Sequence, residues 1–427
     1  MSPEVPCPDP LTDPDRLTDP DRLTDPDRLT DTERLICDDI DTGLIEGLTC
    51  ALVQAPSENP GGSEAAATGV LIEAATGLGL IAETDEVAPG RPNVTVTWLP
   101  PAATGPGLMF LGHSDVVPAG PNWTGDPYRV RRAVDDAGRT LLVGRGTTDM
   151  KGGLAAVLAA MDVLRRHDVP LTGPVRLVCT VDEEEHGLGV RRFVTRPPDH
   201  TFLGCVVAEP TDLTIVRGCR GASYIDIEVT GRAAHSGRPA DGRSAINAAA
   251  RIIGLLSDDQ DRLAADPDDL LGFGTWNVGT VHGGQGISVV APMCSLGVDR
   301  RLMPGESAEQ IAEEVRRRIT ETGIDCDGID VAVTVTMEMP GFVTDANHPL
   351  IDTARSAITA QDRAPSVGGW TAACDGGFIS RDLGIPAVVL GPGNINTQAH
   401  QPDESVVVDD LLIAARVYTL MALRMLG

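Results

Sequence analysis

Five short apolar runs in this chain each lead into a histidine or a carboxylate, and that recurrence restricts the fold more than any other feature. Gly107 to Leu111 runs into His113-Ser114-Asp115, and Leu141 to Val143 leads through a glycine-bracketed turn to Asp149. Val175 to Val181 delivers Asp182-Glu183-Glu184-Glu185, Phe202 to Ala208 ends at Glu209-Pro210-Thr211, and Ile385 to Leu390 leads through Gly391-Pro392-Gly393 to His400. Apolar runs of this length bounded by turn residues read as strands. A helix, Leu154 to His167, follows the second run. In an open α/β sheet the carboxyl ends of the strands form the crevice where ligands bind. The pattern therefore predicts an α/β fold, a mostly parallel sheet with helices on both faces and its reactive groups gathered at one edge. Taken singly, each group has a plain reading: a loop histidine satisfied by a nearby acid, or a solvated acidic patch. Five such placements together are poorly explained that way.

The residue types narrow the chemistry. His113, Asp149, Glu184, Glu209 and His400 offer two imidazoles and three carboxylates with no thiolate, a donor set for zinc, cobalt or manganese at a site open to water. Three carboxylates exceed what one catalytic zinc takes, which favours two divalent ions sharing a bridging acid. Glu183 is then spare and becomes the candidate general base. Asp115 lies two residues from His113 at a strand end, so both side chains leave on one face, and its carboxylate is placed to orient the imidazole.

Length and charge exclude other classes. A chain of 427 residues is too long for one compact core and suits two domains or an insertion. A formal net charge of −28 argues against a nucleic-acid partner, which needs a cationic surface. The nine cysteines contain no Cys-x-x-Cys pair and read as reduced thiols in a cytoplasmic protein. No basic region followed by an apolar run marks a signal peptide at the N-terminus. The stretch from Leu411 to Leu426 is interrupted by Arg416 and Arg424 and predicts an amphipathic helix, not a membrane span. The hexamer Leu-Thr-Asp-Pro-Asp-Arg recurs from Leu11, Leu17 and Leu23, then decays to Leu-Thr-Asp-Thr-Glu-Arg from Leu29. One leucine per repeat buries too little to offset ordering entropy. Residues 1–35 are therefore expected to form a disordered acidic tail, with folded protein from Ile36.

The motifs resemble those of the metal-dependent aminoacylase and carboxypeptidase family that includes acetylornithine deacetylase, succinyl-diaminopimelate desuccinylase, aminoacylase and glutamate carboxypeptidase. Gly-His-Ser-Asp-Val-Val-Pro from Gly112, Gly-Arg-Gly-Thr-Thr-Asp-Met-Lys-Gly-Gly from Gly144, Asp-Glu-Glu from Asp182, Glu-Pro-Thr from Glu209, and Gly-Pro-Gly through Ala399-His400 carry the resemblance. It implies that Asp149 bridges two ions, with His113 and Glu209 completing one site and Glu184 and His400 the other. Zinc is the first choice of metal, with cobalt or manganese as alternatives, and Glu183 is the acid/base. The resemblance also implies an inserted lid or dimerisation domain at 218–337, splitting the catalytic domain into 36–217 and 338–427. The residues there fit a split β-α-β-β-α-β, ferredoxin-like order: strand Ala222 to Val229, helix Ser244 to Leu256, strands at Trp276 to Val281 and Cys294 to Asp299, helix Ser307 to Thr320, and strand Asp330 to Met337.

Within that insertion, Ala234-His235-Ser236-Gly237 resembles the family segment whose histidine reaches the partner subunit's site in dimers and binds the developing oxyanion. Asp299-Arg300-Arg301 resembles the strand whose last arginine, here Arg301, binds the substrate carboxylate. Two departures bear on substrate. Ser288 stands where many members have asparagine, and Ala373-Cys374-Asp375-Gly376-Gly377 lacks the hydroxyls and arginine of the desuccinylase. The absent arginine counts against a dicarboxylic substrate. The expected activity is hydrolysis of an N-acyl amino acid, in the manner of acetylornithine deacetylase. A dipeptidase or carboxypeptidase, and a catalytically silent metal- or ligand-binding relative, are the alternatives.

Overall fold

Gly107–His113 and Val175–Thr180 are buried at every position, the mark of strands covered on both faces. The computed structural model, which describes residues 27–101, 103–196 and 198–427, pairs these two strands in parallel. Phe202–Val207 adds in parallel on the other side of Gly107–His113, and Ala387–Val389 adds in parallel to that. These form the centre of a nine-stranded sheet. Its flanks are antiparallel: Ile81–Ala88 and Arg91–Trp98 at one side, Ile215–Cys219 and Phe342–Val343 at the other. The α/β architecture expected from the sequence is present.

Helix Lys151–Arg166 is buried from Lys151 through Leu164. It packs against Thr42–Gln54 and the C-terminal helix Val408–Leu426. Its first turn must press against the sheet, because a Cβ on Gly153 would stand 2.3 Å from the Ala208 carbonyl oxygen. That close approach sets the helix start, and Asp149 just before it, beside the strand end that carries Glu209.

One expectation needs correcting. The apolar run before Asp149 does not join the main sheet. Thr140–Val143 belongs to a separate three-stranded antiparallel sheet, between Arg131–Val134 and Ser405–Val407. Only Leu142 and Val143 of its four residues are buried. A strand this short and half-covered lacks the two apolar faces that a central parallel strand requires.

The chain leaves the main sheet at Cys219, builds a second sheet, and returns at Phe342, which pairs back with Cys219. The second sheet is four-stranded and antiparallel, with Trp276–Gly283 at one edge, then Met293–Leu302, Gly221–Thr230 and Asp330–Met339. Burial alternates along Gly221–Thr230 and Met293–Leu302, as one-sided strands demand. The buried faces meet helices Ala245–Ala264 and Ala308–Glu321 around Ile225, Ile227, Leu296, Val298, Val315 and Ile319. Ser244 caps the first of these helices by accepting the Asn247 N–H.

The tail expectation divides. Residues 1–26 lie outside the described residues. The decayed repeat, however, folds as helix Asp31–Asp38, starting before Ile36. Loss of the repeat's proline and the change of its second acid to glutamate create a capping box, in which Thr30 and Glu33 each receive the other's main-chain N–H. Arg424 of the C-terminal helix then donates to Glu33 at 2.7 Å. No helix of the described residues is long and apolar enough to cross a membrane.

The cap is directly testable. Thr30→Ala should lower folding stability by about 1 kcal/mol, read as a fall in the urea midpoint, and an unchanged midpoint would show that the helix does not depend on the cap.

Candidate metal centre

His113 is the last residue of its central strand and is 1% exposed, so its ring is fixed by the fold rather than by solvent. Its Nε2 lies 3.2 Å from Asp149 Oδ1 and 3.2 Å from Glu209 Oε1. His400 approaches from the opposite side, its Nε2 3.3 Å from Asp149 Oδ2 and 3.1 Å from Glu184 Oε2. Asp149 therefore turns one carboxylate oxygen toward each imidazole. Glu183 offers an oxygen within 4.8 Å of ligand atoms of His113 and Glu209. All five candidate ligands and Glu183 are gathered in one place.

This concentration of charge shifts the titration of His113, His400, Asp149, Glu209, Glu184 and Glu183. Burial works against a charge on His113, but Glu209, Asp115 and Asp149 outweigh it and raise its pKa well above the ordinary imidazole value. His400, hydrogen-bonded to Asp149 and Glu184, is raised to about 10. Burial alone would raise Asp149, yet hydrogen bonds from both histidines hold it below the usual carboxylate range. Burial pushes Glu209 up to about 7 and raises Glu184 and Glu183 as well.

A divalent cation fits this donor set. Glu184 Oε1 is buried and accepts no hydrogen bond, and a buried orphaned carboxylate oxygen is costly unless something positive meets it. Among the described residues, two imidazoles and three carboxylates converge without a thiolate, as borderline-hard divalent ions prefer.

The supports of the site differ in part from expectation. The acceptor at hydrogen-bond distance from His113 Nδ1 is the main-chain oxygen of Asp115, at 3.0 Å, while its carboxylate stands 3.6 Å away. That carboxylate is engaged elsewhere, accepting the N–H groups of Glu183 and Glu184 and the Asn59 amide. Asp115 thus ties the glutamate turn to the histidine strand. Asp182, the first acid of the run, also faces away from the cluster. It is paired with Arg91 at 2.9 Å and with the Asn59 amide at 3.0 Å. Sequence reasoning missed Asn59, and nothing in its local Glu-Asn-Pro setting marks it. It also passed over Asp375, a buried carboxylate that accepts from Thr180 and that burial pushes up to about 7.

His235 and Arg301 are not brought to the cluster of their own chain. His235 is exposed, in a segment that pairs with Ser288 to Val290. Its Nδ1 accepts the Gly237 N–H at 3.0 Å. Arg301 lies on the sheet face away from the two helices and is ion-paired with Asp299 at 3.1 Å.

The model of peptidase family M20/M25/M40 matches residues 109–424. The chain belongs to this family. As a member it is a metal-dependent hydrolase acting on amide or peptide bonds. Among its relatives, the acetylornithine deacetylase of Aliivibrio fischeri (strain MJ11) is 32% identical over 335 residues, 77% of this chain and 82% of the relative. That of Vibrio atlanticus is 30% identical over 339 residues, 78% of this chain and 84% of the relative. Among solved structures, a tripeptidase of Staphylococcus aureus superposes with a TM-score of 0.71 at 26% identity, covering 90% of this chain and 98% of its own. A dinuclear metal-binding peptidase of Bacillus subtilis has the same fold, with a TM-score of 0.68 at 16% identity, over 90% of this chain and 98% of its own.

The carboxylates beside His113 and His400 raise both imidazoles above their ordinary value, so a cation that takes these nitrogens as ligands competes with protons. Titration with Zn2+ at pH 7 in buffers of different ionisation enthalpy should show release of at least one proton per chain, and affinity should rise from pH 6 to pH 8. Proton-neutral binding would contradict the ligand set.

Proposed function

We propose that this chain is a two-metal hydrolase that cleaves the amide bond of an N-acyl amino acid, as the acetylornithine deacetylases do. The observation that carries the reading is the Asp149 carboxylate, which faces His113 with one oxygen and His400 with the other. In this reading two cations would be held by Asp149 together with His113 and Glu209 on one side and Glu184 and His400 on the other. Two divalent ions held there, zinc first and cobalt or manganese otherwise, would supply Lewis acidity toward an amide carbonyl and toward water.

The chain's own groups do the rest. Glu183, beside the cluster, takes a proton from the attacking water and returns it to the leaving amine, so the products are a carboxylic acid and a free amine. His235 donates to the carbonyl oxygen as negative charge develops there. Its Nδ1 accepts the Gly237 N–H, which leaves Nε2 as the ring nitrogen available to donate. Arg301 holds the substrate carboxylate with a two-pronged contact that lysine could not reproduce.

His235 reaches a site by crossing to a second copy, and the reading therefore includes a homodimer through the inserted sheet. The edge strand Trp276–Gly283 is largely exposed and, among the described residues, has no partner strand on its outer side. Ile246, Val281, Ile287 and Met293 stand exposed around it, Ile287 fully so. An open apolar edge of this kind is what a second copy covers. The eight described cysteines are unpaired, which supports a reducing, cytoplasmic setting.

The peptidase alternative draws on the tripeptidase neighbour; a silent relative is disfavoured by the presence of Glu183 beside a full ligand set. Glu183→Gln should lower kcat by roughly 10²- to 10⁴-fold while metal content stays as in the parent, and a near-normal rate would remove Glu183 from the mechanism. Incubating the zinc-loaded protein with N-acetyl, N-formyl and N-succinyl amino acids and with dipeptides, and measuring released amine, separates the readings. N-acetyl amino acids should be cleaved fastest and N-succinyl compounds slowly. Dipeptides turning over fastest would replace the deacylase reading with the peptidase one.

A further inference from the structure

Glu404 follows His400 by four residues and is completely buried. Its Oε1 accepts three main-chain N–H groups of one turn: Gly146 at 3.0 Å, Thr148 at 2.9 Å and Asp149 at 3.0 Å. Its Oε2 accepts from Arg145 Nη1 at 2.6 Å, and that arginine is itself only 2% exposed. The main-chain oxygen of Glu404 takes the Gly144 N–H at 2.8 Å, and the Thr148 hydroxyl donates to the Ser405 oxygen at 2.7 Å. One residue thus receives donors from nearly every position of the turn that ends in Asp149. The antiparallel pairing of Ser405–Val407 with Thr140–Val143 brings it there.

We propose that Glu404 is a positioning residue that sets the angle of the Asp149 carboxylate between its two imidazoles, and so sets cation affinity. The turn carries two glycines and has no regular ladder to shape it. Converging N–H groups on one carboxylate oxygen supply that shape, and charge-assisted hydrogen bonds are the strong ones. A buried ion pair kept for stability alone needs only Arg145; here the second oxygen is spent entirely on main-chain donors of the Asp149 turn. Because His400 and Glu404 share a loop, a shift of that loop moves one ligand directly and Asp149 through its turn. This inference rests on the proposal that cations bind at Asp149.

Glu404→Gln preserves the shape but cannot serve both sets of donors, since its amide NH2 must face either Arg145 or the three N–H groups. Full-length wild type and Glu404→Gln would be compared by chelator competition for Zn2+, by the visible spectrum of the Co2+-loaded protein, and by kcat and KM on the best N-acetyl substrate. The expected result is a fall in cation affinity of about 10- to 100-fold, an altered Co2+ spectrum, and an unchanged KM at saturating metal. Wild-type affinity and spectrum, even with a lowered thermal midpoint, would overturn the proposal and leave Glu404 a purely structural residue. Should Glu404→Gln fail to fold, Glu404→Asp keeps the charge and shortens the reach. It should show the same direction of loss, and wild-type affinity in it would overturn the proposal equally. A wild-type chain that binds two cations but releases no amine would refute the proposed reaction while this comparison, read on affinity, still decides the role of Glu404.

Discussion

Asp149 and Glu209 are buried and Glu183 and Glu184 half-buried beside them, so that mutual repulsion and lost hydration both oppose the four carboxylates. The rest of the structure can be understood as the means of keeping that arrangement in place. His113 and His400 offset part of the repulsion by lying on opposite sides of Asp149. Even so, an oxygen of Glu184 is left without a partner, and burial still pushes Glu209 up to about 7. The pocket is thus electrostatically incomplete by itself, and divalent cations are the complement its donors suit.

Holding such a cluster requires each backbone segment to be fixed independently. The histidine strand is locked between two parallel neighbours. The glutamate turn is tied to that strand through the Asp115 carboxylate, and Asp182 anchors the same turn through Asn59 and Arg91. The close packing of Gly153 on Ala208 brings the Asp149 turn to the Glu209 strand end. Hydrogen bonds donated by main-chain N–H groups to side-chain carboxylates recur at these junctions. They fix a turn without requiring a regular ladder, which leaves the ligand side chains free to point into the pocket.

The legible parts of the sequence were those with strong local signals. Fully apolar strands such as Val175–Thr180, and the alternating strands of the inserted sheet, carry their burial in their own composition, and Ser244 marks a helix start by its capping chemistry. The five candidate ligands could be picked out because each follows an apolar run, and the structure gathers them in one place. Long-range partnerships were illegible. Thr140–Val143 looked like another central strand because its two buried residues are apolar, and only its pairing with Ser405–Val407 reveals the side sheet. Asn59 and Glu404 act on residues far away in sequence, Glu404 on Asp149 across 255 positions, and no local pattern encodes that. The decayed repeat was misjudged for a different reason. Residues 31–35 were grouped with the proline-bearing hexamers, although the change to Thr32 and Glu33 had restored a helix start.

The central claim is that Asp149 lies between two cations. The measurement that addresses it most directly is a crystal structure of the zinc-loaded protein with anomalous scattering recorded at the zinc edge. Two peaks roughly 3.5 to 4 Å apart, one beside His113 and Glu209 and the other beside Glu184 and His400, each contacting one Asp149 oxygen, is the predicted result. A single peak, or peaks away from Asp149, would contradict the account.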